Sequence, residues 1–245
     1  MTWLDAILLG AIQGLTEFIP VSSDGHLSAA EMLMPRFGQV GLLFDVMVHV
    51  GTLLAILIYY RKLLRDEVVG LAIKPFVETT KGNPRFVGAM EILTGLYLAV
   101  SAFAREGRKD RATMRYLDAF VIGAVQGAAV LPGLSRSAST IAFGLLLGLT
   151  GRWAADFTFL LAIPAIVGAA GVEILSTLRH EGAGFFSTPD FAKYLAGAAV
   201  AAVIGYLTIG ILIRLVATRK VHWFAVYCLV FGLVLIFVFP AIAKP

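Results

Sequence analysis

Gln13-Gly-Leu-Thr-Glu17-Phe-Ile-Pro20-Val-Ser22-Ser23-Asp24-Gly25-His26 interrupts an apolar stretch that covers residues 4–33. Its reading depends on the solvent around the chain, and composition supplies that. The 245 residues are 59% hydrophobic and 15% charged, with a mean hydropathy of +0.86. A soluble domain carries about 25% charged residues, so this chain cannot cover a water-facing surface in the ordinary way. A soluble enzyme, a nucleic-acid binder and a disordered protein are excluded. What remains is an all-α polytopic membrane protein. A proline followed by charges at membrane depth survives only where the backbone lines a protein cavity. The stretch is therefore read as a re-entrant pair of half-helices.

A second interruption supports that reading. Residues 116–149 are apolar and broken by Pro132-Gly133 and Ser135-Arg136-Ser137. Gly10-Ala-Ile-Gln13-Gly14 lines up with Gly123-Ala-Val-Gln126-Gly127, and, with a one-residue gap, Pro20 and Ser23 match Pro132 and Ser135. Paired broken helices in two halves of a membrane protein point to a midplane site between inverted repeats. The chain divides accordingly into one integral membrane domain, 1–245. Repeat 1 covers about 1–104, a basic loop 105–115, and repeat 2 about 116–245.

Segments of about 41–60, 152–176, 191–213 and 222–240 read as spanning helices, and 86–104 as a shorter one carrying Glu91. Basic residues gather after residue 60, in the loop Arg105–Arg115 and after residue 213, which places those loops in the cytoplasm. Two cytoplasmic loops flanking 86–104 require another crossing, and residues 66–84 hold too little apolar material for an ordinary span of about 20 residues. The net charge of +4 thus reports orientation, with no nucleic-acid partner implied. The single cysteine, Cys228, gives no disulfide framework, and the N-terminus does not read as a cleaved signal peptide. Trp3, Trp153 and Trp223 read as interfacial anchors.

Ionisable residues inside membrane segments point to function by default. Gln13 and Glu17 are four apart, on one helix face and roughly 6 Å from each other. Ser22, Ser23, Asp24 and His26 follow past Pro20. Capping explains one of these serines, not the convergence of Glu17, Asp24 and His26 on one turn. In the second break, Ser135, Arg136, Ser137 and Thr140 open a helix, where free N–H groups and the helix dipole attract phosphate. Arg136 can hold two phosphate oxygens at once. Asp45 and His49 form an i,i+4 pair that could support the site. Glu91, Asp118, Asp156 and Glu173 read as satisfied by neighbouring helices.

Residues 13–27 and the stretch Leu131-Pro-Gly-Leu-Ser135-Arg136-Ser137-Ala-Ser-Thr140 resemble the two signature motifs of the undecaprenyl-diphosphatase family, the bacitracin-resistance proteins. Phe44-Asp45 through Gly51, Phe159–Pro164 and Phe224–Tyr227 are similar to further family segments, so the likeness covers most of the chain. The resemblance implies an enzyme that hydrolyses undecaprenyl diphosphate to undecaprenyl phosphate and inorganic phosphate. That activity recycles the lipid carrier for peptidoglycan synthesis. It competes with bacitracin, which sequesters the substrate. The implied setting is the bacterial cell (inner) membrane, multi-pass, with an outward-facing site and room for a homodimer. Two departures stand out: Asp24 occupies a position that is usually Thr, and about one spanning helix is missing between Arg65 and Arg85.

The resemblance and the residue chemistry together suggest that Ser23 attacks the terminal phosphorus and His26 takes its proton. Glu17, with Gln13 and Asp24, would hold Mg²⁺ or Ca²⁺. Arg136, with Ser22, Ser135, Ser137 and Thr140, would bind the phosphates. A competing mechanism keeps Ser23 as a phosphate ligand while a water activated by the cation attacks. The rival from another class is a polyprenyl-phosphate flippase or secondary transporter on the same repeat design. Transport alone does not require a serine, a histidine and an arginine around one phosphate-sized space.

Overall fold

The computed structural model describes residues 1–34, 42–60, 83–129, 131–180 and 189–242. The elements run α1 (Trp3–Thr16), α2 (Ser23–Leu33), α3 (Leu42–Tyr59), α4 (Pro84–Ala102), α5 (Tyr116–Ala128), α6 (Arg136–Leu146), α7 (Gly151–His180), α8 (Pro189–Ala217) and α9 (Val221–Leu233). A π turn at Val234–Val238 then leads into α10 (Phe239–Ile242). No strand occurs among the described residues, where extended pairing is limited to a bridge between Lys109 and Leu149. Four helices, over 84–102, 151–179, 190–217 and 221–238, are long and apolar enough to cross a membrane. The chain is an all-α, multi-pass membrane protein. The expectation for residues 66–84 falls largely on 61–82, outside the described residues.

Local chemistry sets the helix ends. Thr2 and Asp5 exchange hydrogen bonds of 3.1 and 2.7 Å in a capping box that starts α1. Asn83 accepts from the amides of Arg85 and Phe86, and Pro84 opens α4, where its missing N–H is harmless. The two interruptions fall where the polar clusters sit, between Thr16 and Ser23 and between Ala128 and Arg136. Pro164 lies inside α7, and Gln126 Nε2 donates to the Leu161 carbonyl at 3.1 Å in the turn ahead of it. A neighbouring helix thus supplies a donor beside the proline, as membrane helices require.

Polarity is distributed opposite to that of a soluble protein. Leu207, Ile211, Trp223 and Phe237 are exposed, whereas Gln13, Glu91 and Thr94 are fully buried. Helices pack through small residues, since lipid gives no hydrophobic drive for their association. A Cβ on Gly88 would lie 2.6 Å from the Gly232 carbonyl oxygen, and one on Gly232 would lie 2.7 Å from that of Gly88. This mutual approach locks α4 to α9. At the basic loop, Lys109 Nζ pairs with both carboxylate oxygens of Asp118 at 2.9 and 2.8 Å, while its backbone bonds to Gly148 and Thr150. Asp118 is therefore matched by the loop rather than by a neighbouring helix. In the same loop, the Thr113 hydroxyl and amide hold the exposed Asp110 carboxyl below the usual Asp range.

Candidate active site

The two breaks meet at Glu17. This buried carboxylate closes α1, and each of its oxygens faces a different motif. Oε2 accepts from Gln13 Nε2 at 2.9 Å and from the Ser23 hydroxyl at 2.7 Å. Oε1 takes an ion pair and hydrogen bond from Arg136, from 119 positions away. An arginine at the start of α6 and a serine at the start of α2 therefore share one carboxylate. Buried charges persist when paired and hydrogen-bonded, and Glu17 is both.

Each serine motif uses one hydroxyl to cap its helix. Ser22 Oγ accepts from the Gly25 amide at 3.2 Å and starts α2. Ser135 Oγ accepts from the Ala138 amide at 3.1 Å and starts α6. Ser22 adopts φ 58°, in the left-handed region that costs an L residue about 1–2 kcal/mol. Its strain places the cap one residue ahead of Ser23 and leaves the Ser23 hydroxyl to Glu17. In the second motif Ser137 Oγ reaches the Ile19 carbonyl at 3.4 Å, joining the two breaks again. Thr140 turns into its own helix, donating to the Arg136 and Ser137 carbonyl oxygens at 3.0 and 3.1 Å. Thr94 and Tyr97 of α4 brace the α6 start: Thr94 Oγ1 accepts from the Ser135 amide at 3.1 Å, and Tyr97 bonds with Ser139 Oγ at 2.8 Å.

The His26 ring nitrogens contact groups other than the Ser23 hydroxyl. Nδ1 lies 2.8 Å from the Ser22 carbonyl oxygen and Nε2 2.6 Å from the Tyr227 hydroxyl. Both ring nitrogens are therefore engaged, and the hydrogen-bond partner of the Ser23 hydroxyl is Glu17. His49, which sequence reading treated only as support, stands closer to the carboxylates. Its Nδ1 bonds the Asp45 carbonyl oxygen at 2.7 Å, so Nε2 is directed at Glu17 Oε2, 3.4 Å away, and Asp24 Oδ1, 3.7 Å away. The signal in the sequence was the four-residue spacing of Asp45 and His49. Nothing local showed that α3 delivers this face to α1 and α2.

Among the described residues no three His, Cys, Asp or Glu side chains stand as a ready-made metal site. The donor chemistry nevertheless suits a hard cation. Gln13 Oε1 is fully buried beside Glu17 without a hydrogen-bond partner, and an amide oxygen in that state is a ligand in waiting. Glu17 and Asp24 each present an oxygen to the imidazole of His49, and Gln13 stands beside Glu17. Arg136 takes the other Glu17 oxygen.

Fold and site together define a class: a multi-pass α-helical membrane protein with a serine, a carboxylate and an arginine gathered where two broken helices meet. The family described as Bacitracin resistance protein BacA matches residues 6–68 and 64–234. The chain belongs to that family. It is 37% identical to the undecaprenyl-diphosphatase of Syntrophotalea carbinolica, over 95% of this chain and 97% of the relative. It is 36% identical to the undecaprenyl-diphosphatase of Bacteroides thetaiotaomicron, over 96% and 98%. Undecaprenyl-diphosphatase 4 of Bacillus thuringiensis subsp. konkukian is 35% identical, over 96% and 97%. The join between the two matched stretches falls at residues 64–68, inside the region where the sequence is short of a span.

Proposed function

We propose that the chain hydrolyses undecaprenyl diphosphate to undecaprenyl phosphate and inorganic phosphate. The observation that carries this reading is the shared engagement of Glu17 by Ser23 and Arg136. One group is a nucleophile, one holds its proton, and one binds phosphate, which are the parts that phosphoryl transfer needs. Arg136 grips the terminal phosphate with the Ser137 hydroxyl and the first amides of α6. Ser23 Oγ attacks the terminal phosphorus as its proton passes to Glu17 Oε2. The bridging P–O bond breaks and undecaprenyl phosphate leaves. Water then attacks the phosphoserine phosphorus and the Ser23 O–P bond breaks. Glu17 returns its first proton to Ser23 Oγ, takes one from the attacking water, and releases that proton as inorganic phosphate departs, which restores the carboxylate.

Gln13, Glu17 and Asp24 would hold a divalent cation, Mg²⁺ or Ca²⁺. Bound there, the cation supplies charge neutralisation to the diphosphate. The Asp24 carboxylate adds to the negative charge of Glu17, so an unneutralised site would repel substrate.

The proposed setting is the bacterial inner membrane, with the site toward the outer face and the Arg105–Arg115 loop in the cytoplasm. The concentration of basic residues in that loop supports this orientation. Release of inorganic phosphate by purified protein in detergent tests the function. Detergent removes compartments, so a flippase or transporter gives no signal there. Steady release that stops in Ser23→Ala is the expected result. A protein that releases nothing with cation present, yet moves polyprenyl phosphate across vesicles, would overturn the assignment.

A further inference from the structure

Resting on that reading, we propose that Tyr227 is a positioning residue for the reaction, acting on Ser23 through His26 and Ser22. A backbone carbonyl can only accept, so the 2.8 Å contact with Ser22 O fixes a proton on His26 Nδ1. In the neutral ring Nε2 then carries the lone pair, and the Tyr227 hydroxyl 2.6 Å away donates to it. The imidazole is also stacked on Phe231, with ring centroids 4.2 Å apart and planes at 13°, and on Tyr227 at 5.6 Å and 12°. Two stacks and two hydrogen bonds leave this ring one orientation.

The relay ends on the strained residue. Ser22 at φ 58° holds a conformation that L residues avoid, and such a conformation persists only where its surroundings over-determine it. The Ser22 carbonyl oxygen accepts from His26 Nδ1 and from the His26 amide at 3.2 Å, while Ser22 Oγ accepts from Gly25. A hydroxyl on α9, 201 positions from His26, thus helps keep Ser22 in its cap geometry. That geometry frees the Ser23 hydroxyl for Glu17. Tyr227 touches no reacting atom. It fixes where the reacting atom sits.

Tyr227→Phe keeps the ring stack and removes only the donor. Phosphate release by the full-length protein in detergent with Mg²⁺ should show kcat lowered about 10- to 100-fold, with KM within about twofold, because a misplaced reacting group slows the chemical step while Arg136 still grips substrate. If His26 instead accepts the Ser23 proton, removing the phenol frees Nε2, and kcat holds or rises. That result overturns the proposal. Histidine-selective ¹⁵N NMR reads the relay without turnover, with the His26 signal assigned by its loss in His26→Gln. The expected wild-type signature is a proton on Nδ1 and a hydrogen-bonded Nε2, whose resonance shifts toward a free acceptor in Tyr227→Phe. A wild-type His26 protonated on Nε2 overturns the relay even if Tyr227→Phe fails to fold. Absence of phosphate release from the wild type would defeat the phosphatase reading, while the ¹⁵N signature would still decide the relay.

Discussion

The two broken regions share a sequence pattern and divide the chemistry between them. In both, Gly-Ala-x-Gln-Gly leads through Pro-x-x-Ser to the start of a short helix. The matched serines nevertheless do different work. Ser135 is the cap of α6, its oxygen bound to the Ala138 amide. Ser23 is the first residue of α2, because Ser22 caps that helix one position earlier. The second region places its left-handed residue at Gly133, φ 90°, where no Cβ stands in the way. The first places it at Ser22, where the conformation is strained. A shift of one residue in the cap leaves the Ser23 hydroxyl to the Glu17 carboxylate, whereas the Ser135 hydroxyl is held by a helix amide. The matched glutamines diverge in the same way: Gln13 donates to Glu17, and Gln126 to the Leu161 carbonyl.

The largest effect should separate the serines. Ser23→Ala, like Arg136→Ala, should lower phosphate release by at least about 10³-fold, the scale seen when a unit of phosphoryl-transfer machinery is removed. Ser135→Ala should keep activity within about tenfold and lower stability by about 1 kcal/mol, the worth of an N-cap. Phosphate release and thermal melts of the same detergent preparations measure both. Equal loss in Ser23→Ala and Ser135→Ala would erase the distinction drawn between the regions.

A smaller effect should separate the glutamines. Gln13→Ala should raise the Mg²⁺ concentration for half-maximal activity by about tenfold or more, in line with loss of a group around a metal site. Gln126→Ala should leave that concentration within about twofold. Cation titration after EDTA treatment checks the pair. An unchanged Gln13→Ala titration removes Gln13 from the cation.

The smallest effect concerns the strained cap. Ser22→Gly should change stability by less than about 0.5 kcal/mol, because a glycine N-cap is only a few tenths weaker and glycine adopts φ 58° without strain. A destabilisation of about 2 kcal/mol or more would mean that the Ser22 hydroxyl holds the turn far more strongly than one capping bond can.

Much of the site was legible in the sequence because its residues are expensive where they lie. Glu17 and Arg136 stand inside apolar runs, and each requires a partner at membrane depth. Their meeting follows from that need. The roles of His26 and Thr140 were less accessible. Sequence reading made His26 the acceptor for Ser23, but its ring is turned by Tyr227 and Phe231, which no local pattern connects to it. Thr140 was assigned to phosphate, yet at four residues from Arg136 its hydroxyl can bond back into the helix, and it does. Glu91 was expected to be satisfied by its neighbours. It is fully buried, and the thiol that faces its carboxyl is that of Cys228 on α9. Its Oε1 lies 2.9 Å from where a Cβ on Gly25 would stand.

By itself the sequence determined the solvent, the helical class, the positions of both breaks and the residue types at the site. Those follow from composition, from periodicity and from the cost of proline and charge in a bilayer, all of them local properties. The tertiary structure decided which hydroxyl is free, which carboxylate oxygen faces which partner and where each imidazole points. Those depend on contacts between helices far apart in the chain, such as Tyr227 with His26 or Arg136 with Glu17. A side chain's hydrogen-bond partner is set by what packs against it, and spacing along one helix carries no record of that.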